Sequence, residues 1–211
     1  MTQEEPVTRI FIDTEFIEDG HTIDLISIGM VDDGGREYYA VSADFDFRKL
    51  AANPWLMKNV WPSLPKIGGD HRLYALSGPA WPQWLWRPEH MRIRAEARLL
   101  RRLFDWDDPR VKIREQIAAD VFAFIRGTDD PQLWAWYGAY DHVAYAQLFG
   151  RMIDLPEGLP MFTCDLKQEC ERLGNPRVPQ QQTGRHDALE DARHNREIAR
   201  FLDERAVIHD A

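Results

Sequence analysis

The sequence RIFIDTEFIEDG at Arg9–Gly20 places two carboxylates directly after a short apolar run. The apolar residues 10–12 are typical of a buried strand. Side chains alternate between the two faces of a strand, so Asp13 and Glu15 point in the same direction. Two buried carboxylates repel each other, and an unpaired buried charge is costly. The stretch therefore predicts either a bound divalent cation such as Mg²⁺ or Mn²⁺, or a polar strand end that faces water.

The length and composition are those of an ordinary globular protein. The chain has 211 residues, of which 44% are hydrophobic and 29% are charged. A chain of this size suggests one domain with an insertion. We place the domain at 8–206 and the insertion at about 66–108, and we expect the ends at 1–7 and 207–211 to be flexible.

Charge and hydropathy narrow the class of protein. The formal net charge of −9 disfavours a nonspecific coat protein of duplex DNA, which would be basic. It allows an enzyme that holds nucleic acid at one small metal site. No signal peptide and no apolar run of about 18 residues is found. We therefore expect a cytoplasmic protein without a membrane segment.

The order of the predicted elements indicates an α/β fold. Three strands at 8–14, 23–31 and 36–42 are joined by short links, which predicts an antiparallel meander. Strand and helix patterns alternate after this meander, which predicts parallel strands added by crossover connections. Together they predict a mixed five-stranded sheet with helices on both faces. The remaining strands are expected at 132–137 and 159–163, and the longer helices at 89–104, 109–125, 140–149, 164–173 and 186–205.

Further acidic residues lie at two later element boundaries. Asp141 begins a predicted helix after the strand at 132–137, where a carboxylate can also serve as a helix cap. The segment 185–194 (RHDALEDARH) brings His186 and Asp191 to the start of the last helix. These two residues are five positions apart, which is about 140° around a regular helix. His186 can share a site with Asp191 only if it lies in the preceding loop or in the first turn.

These motifs resemble the DEDDh 3′–5′ exonuclease superfamily, whose members have a ribonuclease-H-like fold. The three motifs occur in the order of that superfamily and on the expected elements, which are a strand, a helix start and the last helix. The segments FIDTEFIEDGHTIDLISIGMV, LWAWYGAYDHVAYAQLFG and HDALEDAR look like the small actinobacterial exoribonuclease group RNase AS, which degrades poly(A). Residues 16–18 (FIE) depart from the Thr-Thr-Gly of proofreading members.

The resemblance implies the chemistry of the site. Four carboxylates would hold two Mg²⁺ or Mn²⁺ ions, and His186 would act as the general base. Ions held in this way lower the pKa of an attacking water and stabilise the leaving 3′-oxygen. A neutral imidazole takes the proton of that water, which predicts a loss of activity at acid pH. The four carboxylates are Asp13, Glu15, Asp141 and Asp191.

The resemblance also implies the substrate and the partners. We expect release of nucleoside monophosphates from single-stranded, adenylate-rich RNA, with Thr14, Phe16 and Tyr140 in contact with the terminal nucleotide. Phe16 can stack on a base, or it can pack in the core. A homodimer is expected, and the tryptophan-rich part of the insertion offers a surface for it.

Other functions remain open from the sequence. A DEDDh exodeoxyribonuclease or a scavenger of short oligonucleotides would carry the same motifs. A non-catalytic RNA-binding module would lack a ligand or the base, whereas all five positions are filled here. A phosphatase of the halo-acid type would need Asp-x-Asp, and position 15 is Glu. The arginine-rich face of the helix at 89–104 is either a solvated surface or a contact for a phosphate chain.

Overall fold

The computed structural model describes residues 7–69 and 89–209. Within these residues the centre of the fold is a six-stranded mixed sheet. Its strands are β1 (Thr8–Glu18), β2 (Ile23–Asp32), β3 (Glu37–Ser42), β4 (Val111–Lys112), β5 (Pro131–Ala135) and β6 (Thr163–Asp165). Across the sheet they follow the order β4-β3-β2-β1-β5-β6. The first three strands form an antiparallel meander, and the other neighbours pair in parallel.

The predicted α/β, ribonuclease-H-like fold is confirmed, with one strand more than expected. The strand predicted at 159–163 was wrong in its bounds, because β6 begins only at Thr163. The helix predicted at 109–125 was wrong at its start, because that segment first forms β4. The backbone N–H of Val41 donates to the Arg110 carbonyl and that of Ala43 to the Lys112 carbonyl, both at 2.8 Å. These hydrogen bonds pair the segment with the open edge of β3, and it therefore forms a strand. A two-residue strand has too few side chains to show a period of two.

Helices cover both faces of the sheet, as predicted. Ile10 and Ile12 of β1 pack into one buried cluster. Phe11 lies between them and packs into another cluster on the opposite face. The alternation of β1 thus separates two apolar layers. The described helices are α1 (Phe47–Ala52), α2 (Pro54–Asn59), α3 (Glu89–Leu103), α4 (Arg114–Arg126), α5 (Ala139–Gln147), α6 (Leu166–Arg172) and α7 (Ala188–His209).

Each apolar layer belongs to a different set of helices. The layer of Ile10 and Ile12 is completed by α4 and α5, and the layer of Phe11 by α6 and α7. A third buried cluster joins α1, α2 and α3 to β2 and β3. Asp13 and Glu15 lie two and four positions after Phe11, so their side chains face the same side of the sheet as Phe11. This is the side on which α7 packs.

The start of α7 lies directly against β2. Gly29 permits this approach, since a Cβ atom there would lie 2.2 Å from the Ala188 carbonyl oxygen. Any other residue would push the helix away from the sheet. Gly29 pairs across the ladder with Asp13. The close contact therefore brings the N-terminal end of α7 beside the C-terminal half of β1, which carries Asp13 and Glu15 and which we call the acidic end of the strand.

Part of the predicted insertion lies outside the described residues. The structure does not describe residues 70–88. The tryptophan-rich surface that we expect to support a homodimer belongs to this segment. Residues 1–6 and 210–211 of the ends expected to be flexible also lie outside. The boundaries of the domain and of the insertion stay predictions. Among the described residues, no helix is long and apolar enough to cross a membrane.

Candidate active site

One threonine connects the acidic end of β1 to the start of α5. The backbone N–H and the hydroxyl of Thr14 both donate to Asp141 Oδ1, at 2.8 and 2.7 Å. Both residues are buried. The contact joins positions 127 residues apart and brings a further carboxylate to the strand that carries Asp13 and Glu15. Thr14 thus anchors Asp141, and its expected contact with a nucleotide stays a prediction.

The ladder between β1 and β2 is irregular directly after Glu15. Its register shifts between Glu15 and Phe16, as at a β-bulge, a feature that often re-aims a side chain beside an active site. Glu15 is only 7% exposed, and Asp13 is partly buried. Both carboxylates are therefore held in poorly solvated surroundings in the C-terminal half of one strand.

His186 lies in the loop before α7, where its backbone adopts the left-handed region with a φ of 64°. Its N–H donates to Asp191 Oδ2 at 2.9 Å, so the loop folds back over the first turn of the helix. Its Nδ1 lies 3.7 Å from Glu15 Oε1. The angle between the two positions on a helix predicted that His186 shares a site with Asp191 only from the preceding loop or the first turn. The structure places His186 in the loop.

Three side chains offer ligand atoms that lie within 4.8 Å of one another, namely Glu15, His186 and Asp191. Asp13 lines the same cleft as His186 and Asp191. Asp141 is not in this close group, although its charge acts on both Asp13 and Glu15. The five predicted residues therefore converge at the interior strand β1, and three of them reach a common point.

Burial raises the pKa of every carboxyl group in this cluster. Burial, with repulsion by Asp191 and Asp141, raises the pKa of Glu15 to about 8. Burial raises the pKa of Asp141 to about 6, although the hydrogen bonds from Thr14 oppose the change. Burial and the neighbouring carboxylates raise the pKa of Asp13 well above its usual range, and burial also raises that of Asp191. The folded protein therefore holds protons here near neutral pH unless a cation replaces them.

No protein cation neutralises this cluster within residues 7–69 and 89–209. The four carboxylates form no ion pair there with a lysine or arginine, and their partners are His186 and uncharged donors. The carboxylates offer only oxygen donors, and the imidazole of His186 lies beside them. Hard divalent cations prefer oxygen ligands, so these residues fit Mg²⁺ or Mn²⁺.

Asp191 is held by a residue that no sequence pattern indicated. Gln181 Nε2 donates to Asp191 Oδ1 at 2.6 Å, from the loop that precedes α7. Together with the N–H of His186, this bond fixes both carboxylate oxygens. Gln181 stands in a run of three glutamines, with nothing in the sequence to distinguish it from its neighbours.

Asp187 is a further carboxylate beside the site. Its Oδ1 accepts hydrogen bonds from the backbone N–H groups of Leu189 and Glu190, which is a helix-capping role. Burial raises the pKa of Asp187, and its charge also raises the pKa of Asp13 and Glu15. Asp187 thus adds to the negative potential at the start of α7.

Phe16 and Tyr140 form an aromatic pair beside the carboxylates. Their ring centroids are 5.6 Å apart and their planes are tilted by 40°. Tyr140 is 49% exposed and Phe16 is partly buried. Since Phe16 directly follows Glu15 and Tyr140 directly precedes Asp141, the pair borders the acidic cluster. Contact of either ring with a nucleotide stays a prediction.

A cleft of 440 Å³ opens between the loop before α7 and α7 itself. It gives solvent-borne molecules access to the acidic cluster from the side of His186. Polar, acidic and aromatic groups share its wall. They include Asp13, Trp136, Gln181, Arg185, His186 and Asp191.

Comparison with known proteins places the chain in a family. No protein-family model matches it. It is 44% identical over 187 residues to a 3′–5′ exoribonuclease of Mycobacterium tuberculosis, strain CDC 1551 / Oshkosh. The same identity and length hold for a 3′–5′ exoribonuclease of strain ATCC 25618 / H37Rv, and each match covers 88% of this chain and 87% of the relative. Because this similarity extends over most of both chains, the protein belongs to the family of these 3′–5′ exoribonucleases.

Proposed function

We propose that this exoribonuclease is a member of the DEDDh superfamily, close to the RNase AS group, and that it works with two bound Mg²⁺ or Mn²⁺ ions. Its substrate is the adenylate-rich 3′ end of single-stranded RNA, and its products are nucleoside monophosphates. Support comes from the convergence, at the interior strand β1, of the five residues that the motifs carry. They are Asp13, Glu15, Asp141, His186 and Asp191.

The observation that carries this function is a buried group of carboxylates that form no ion pair with any lysine or arginine of the described residues. Glu15, with a pKa raised to about 8, is the clearest case. Fully ionised, the four carboxylates bring a charge of about −4, which two divalent ions would balance. Metal binding would release the protons that burial retains, so metal affinity should increase with pH.

The four carboxylates would hold the ions where the ends of β1, α5 and α7 meet. When bound, such ions lower the pKa of the attacking water and offset the charge on the leaving 3′-oxygen. Thr14 fixes Asp141, while Gln181 and the N–H of His186 fix Asp191. The ligand oxygens are therefore oriented before the substrate arrives.

His186 is placed to act as the general base. Its side chain is 36% exposed, so it can reach both the cleft and bulk solvent. Its backbone is anchored to Asp191, and its ring approaches Glu15 at 3.7 Å. A neutral imidazole in this position takes a proton from water and then passes it to solvent.

Phe16 and Tyr140 are placed to contact the terminal base. Stacking of a base on an aromatic side chain is worth about 1–3 kcal/mol. A purine offers a larger face than a pyrimidine, which favours adenylate over uridylate on this platform. The exposed ring of Tyr140 and the partly buried ring of Phe16 support this role.

A digestion assay tests the function directly. The purified chain is incubated with Mg²⁺ and 5′-labelled oligo(A), oligo(U) or oligo(dA), each in a long and a very short form. We expect stepwise shortening from the 3′ end, AMP as the product, the fastest reaction on long oligo(A), and no reaction with a chelator. Equal digestion of oligo(dA) would indicate an exodeoxyribonuclease, preference for the short forms a scavenger, and binding without hydrolysis an RNA-binding module.

Two further expectations stay predictions. The homodimer rests on the family resemblance alone, and the cytoplasmic location rests on the absence of targeting patterns in the sequence. Light scattering on the purified chain would measure the oligomeric state.

A further inference from the structure

The backbone of His186 is held at both of its polar groups. Its N–H donates to Asp191 Oδ2 at 2.9 Å, and its carbonyl oxygen accepts from the Ser63 hydroxyl at 3.0 Å. A φ of 64° is uncommon for a residue with a side chain, and it persists where the surroundings impose it. Ser63 lies 123 residues earlier in the chain, so this restraint comes from the tertiary fold.

A lysine fixes the turn that carries Ser63. The Lys66 ammonium donates to three carbonyls of the turn at 61–64, at 3.0, 2.8 and 2.6 Å, which uses all three of its donors. The Ser63 hydroxyl also lies 2.8 Å from the Val60 carbonyl, so its single proton serves one carbonyl at a time. Ser63 therefore stands on a rigid support that faces the loop of His186.

The imidazole of His186 lies between Trp55 and Glu15. The ring centroids of Trp55 and His186 are 4.8 Å apart with the planes at 75°, an edge-to-face contact. Asn53 Oδ1 accepts from the backbone N–H of Trp55 at 3.0 Å and caps α2, so the indole projects from a fixed position. Trp55 is 51% exposed. Its side chain therefore contributes less to the apolar core than to the contact with the imidazole.

We infer that Trp55 and Ser63 are positioning residues that hold His186 over the carboxylates. Ser63 fixes the backbone, and Trp55 restricts rotation of the ring. This role rests on the proposed function, in which His186 is the base. A displacement of about 1 Å in a reacting group can cost on the order of 100-fold in rate. Loss of either contact should therefore lower kcat and leave KM nearly unchanged.

Steady-state kinetics on oligo(A) with saturating Mg²⁺ provide the first test. We expect kcat to fall about tenfold in Trp55→Leu and about fivefold in Ser63→Ala, with KM within about twofold of the parent. Ser63→Thr keeps the hydroxyl, and Trp55→Phe keeps an aromatic ring, so both should recover most of kcat. Trp106→Leu is the matched control, because that indole is 38% exposed and packs on Phe104.

Nuclear magnetic resonance provides a readout that does not depend on turnover. The imidazole proton signals of His186, identified by their loss in His186→Ala, are recorded with Mg²⁺ present. An indole at 4.8 Å shifts these signals through its ring current. Trp55→Leu should therefore move them, and Trp106→Leu should not.

The two readouts separate failure of this inference from failure of the proposed function. If His186→Ala retains activity, the role of His186 as base is wrong. The His186 proton signals in Trp55→Leu and Ser63→Ala would then still decide whether Trp55 and Ser63 hold its ring and loop. A raised KM with unchanged kcat in Trp55→Leu would show that the indole contacts RNA instead. Unchanged kcat together with unmoved His186 signals in Trp55→Leu and Ser63→Ala would refute the positioning role.

Discussion

The two halves of β1 carry charge in opposite ways. At its start, the Arg9 guanidinium forms ion pairs with Asp33 at 3.2 Å and with Asp203 at 2.8 Å. In its C-terminal half, the acidic end, Asp13 and Glu15 meet further carboxylates and, among the described residues, no lysine or arginine. Ion pairs neutralise the start of the strand, whereas no ion pair with a lysine or arginine of the described residues neutralises the acidic end.

This difference distinguishes structural ion pairs from the site at which we propose that metal binds. The pairs of Arg9 are partly exposed, and such pairs contribute about 1 kcal/mol or less. The acidic end lowers the stability of the fold until a cation arrives, because buried like charges repel and are poorly solvated. A cation from solution would therefore bind most favourably at the acidic end. The start of β1, where Arg9 already pairs with Asp33 and Asp203, serves as the internal control.

Removing one carboxylate at the acidic end should give the largest effect. We expect Asp13→Asn and Glu15→Gln each to lower kcat/KM on oligo(A) by about a thousandfold or more, since several kcal/mol of charge stabilisation are lost and each 1.4 kcal/mol is about tenfold. Asp33→Asn removes the carboxylate that pairs with Arg9 at the start of β1 and should keep activity within about twofold. Similar losses in all three variants would mean that the two ends do not differ in function.

Replacing the imidazole should have the next largest effect. His186→Ala should lower kcat by about 10²–10⁴-fold, the usual contribution of a general base. It should leave the divalent-cation affinity close to that of the parent, because the carboxylates remain. Rates on oligo(A) and a metal titration measure the two quantities. Full activity in this variant would remove His186 from the proposed role.

Metal binding should stabilise only a protein with an intact acidic end. At a Mn²⁺ concentration of about 100 times Kd, binding contributes about 2.7 kcal/mol, which raises Tm by about 5–10 °C for a chain of this size. Thermal melts with and without a chelator measure the shift. Asp33→Asn should show the same shift as the parent, and Glu15→Gln a much smaller one; equal shifts in both would contradict a cation site at Glu15.

The metal-free protein should show a smaller, pH-dependent change in stability. The pKa of Glu15 is raised from 4.5 to about 8 on folding, so the folded state binds more protons than the unfolded state between these values. The free energy of unfolding should therefore decrease as pH rises through this range. Melts in a chelating buffer should show Tm falling by a few degrees, with a shallower slope in Glu15→Gln. A Tm that rises over the same range in both proteins would reverse the expected sign.

The parts of the site that depend on local geometry could be predicted from the sequence. Alternation along a strand placed Asp13 and Glu15 on one face, because the period of two is a property of the strand alone. The angular separation of His186 and Asp191 showed that His186 had to leave the helix, and its φ of 64° confirms that position. The order of strand and helix patterns likewise predicted the mixed sheet.

The parts that depend on distant contacts could not be predicted. The two residues of β4 become a strand because the edge of β3 accepts them. Gln181 binds Asp191 from a loop that has no periodic pattern. Ser63 reaches the His186 carbonyl across 123 positions. Such contacts form only when the whole fold brings the groups together, and single serine or glutamine residues leave no local pattern.

The most direct test of the acidic end is calorimetric titration of Mn²⁺ near neutral pH in two buffers that differ in ionisation enthalpy. We predict that two ions bind to each chain and that protons are released on binding, because burial keeps Glu15 and its neighbours protonated in the absence of metal. Glu15→Gln should weaken binding and reduce the proton release, whereas Asp33→Asn should match the parent. No binding, or identical binding and proton release in the parent and Glu15→Gln, would contradict the assignment of this end of β1 as the metal site.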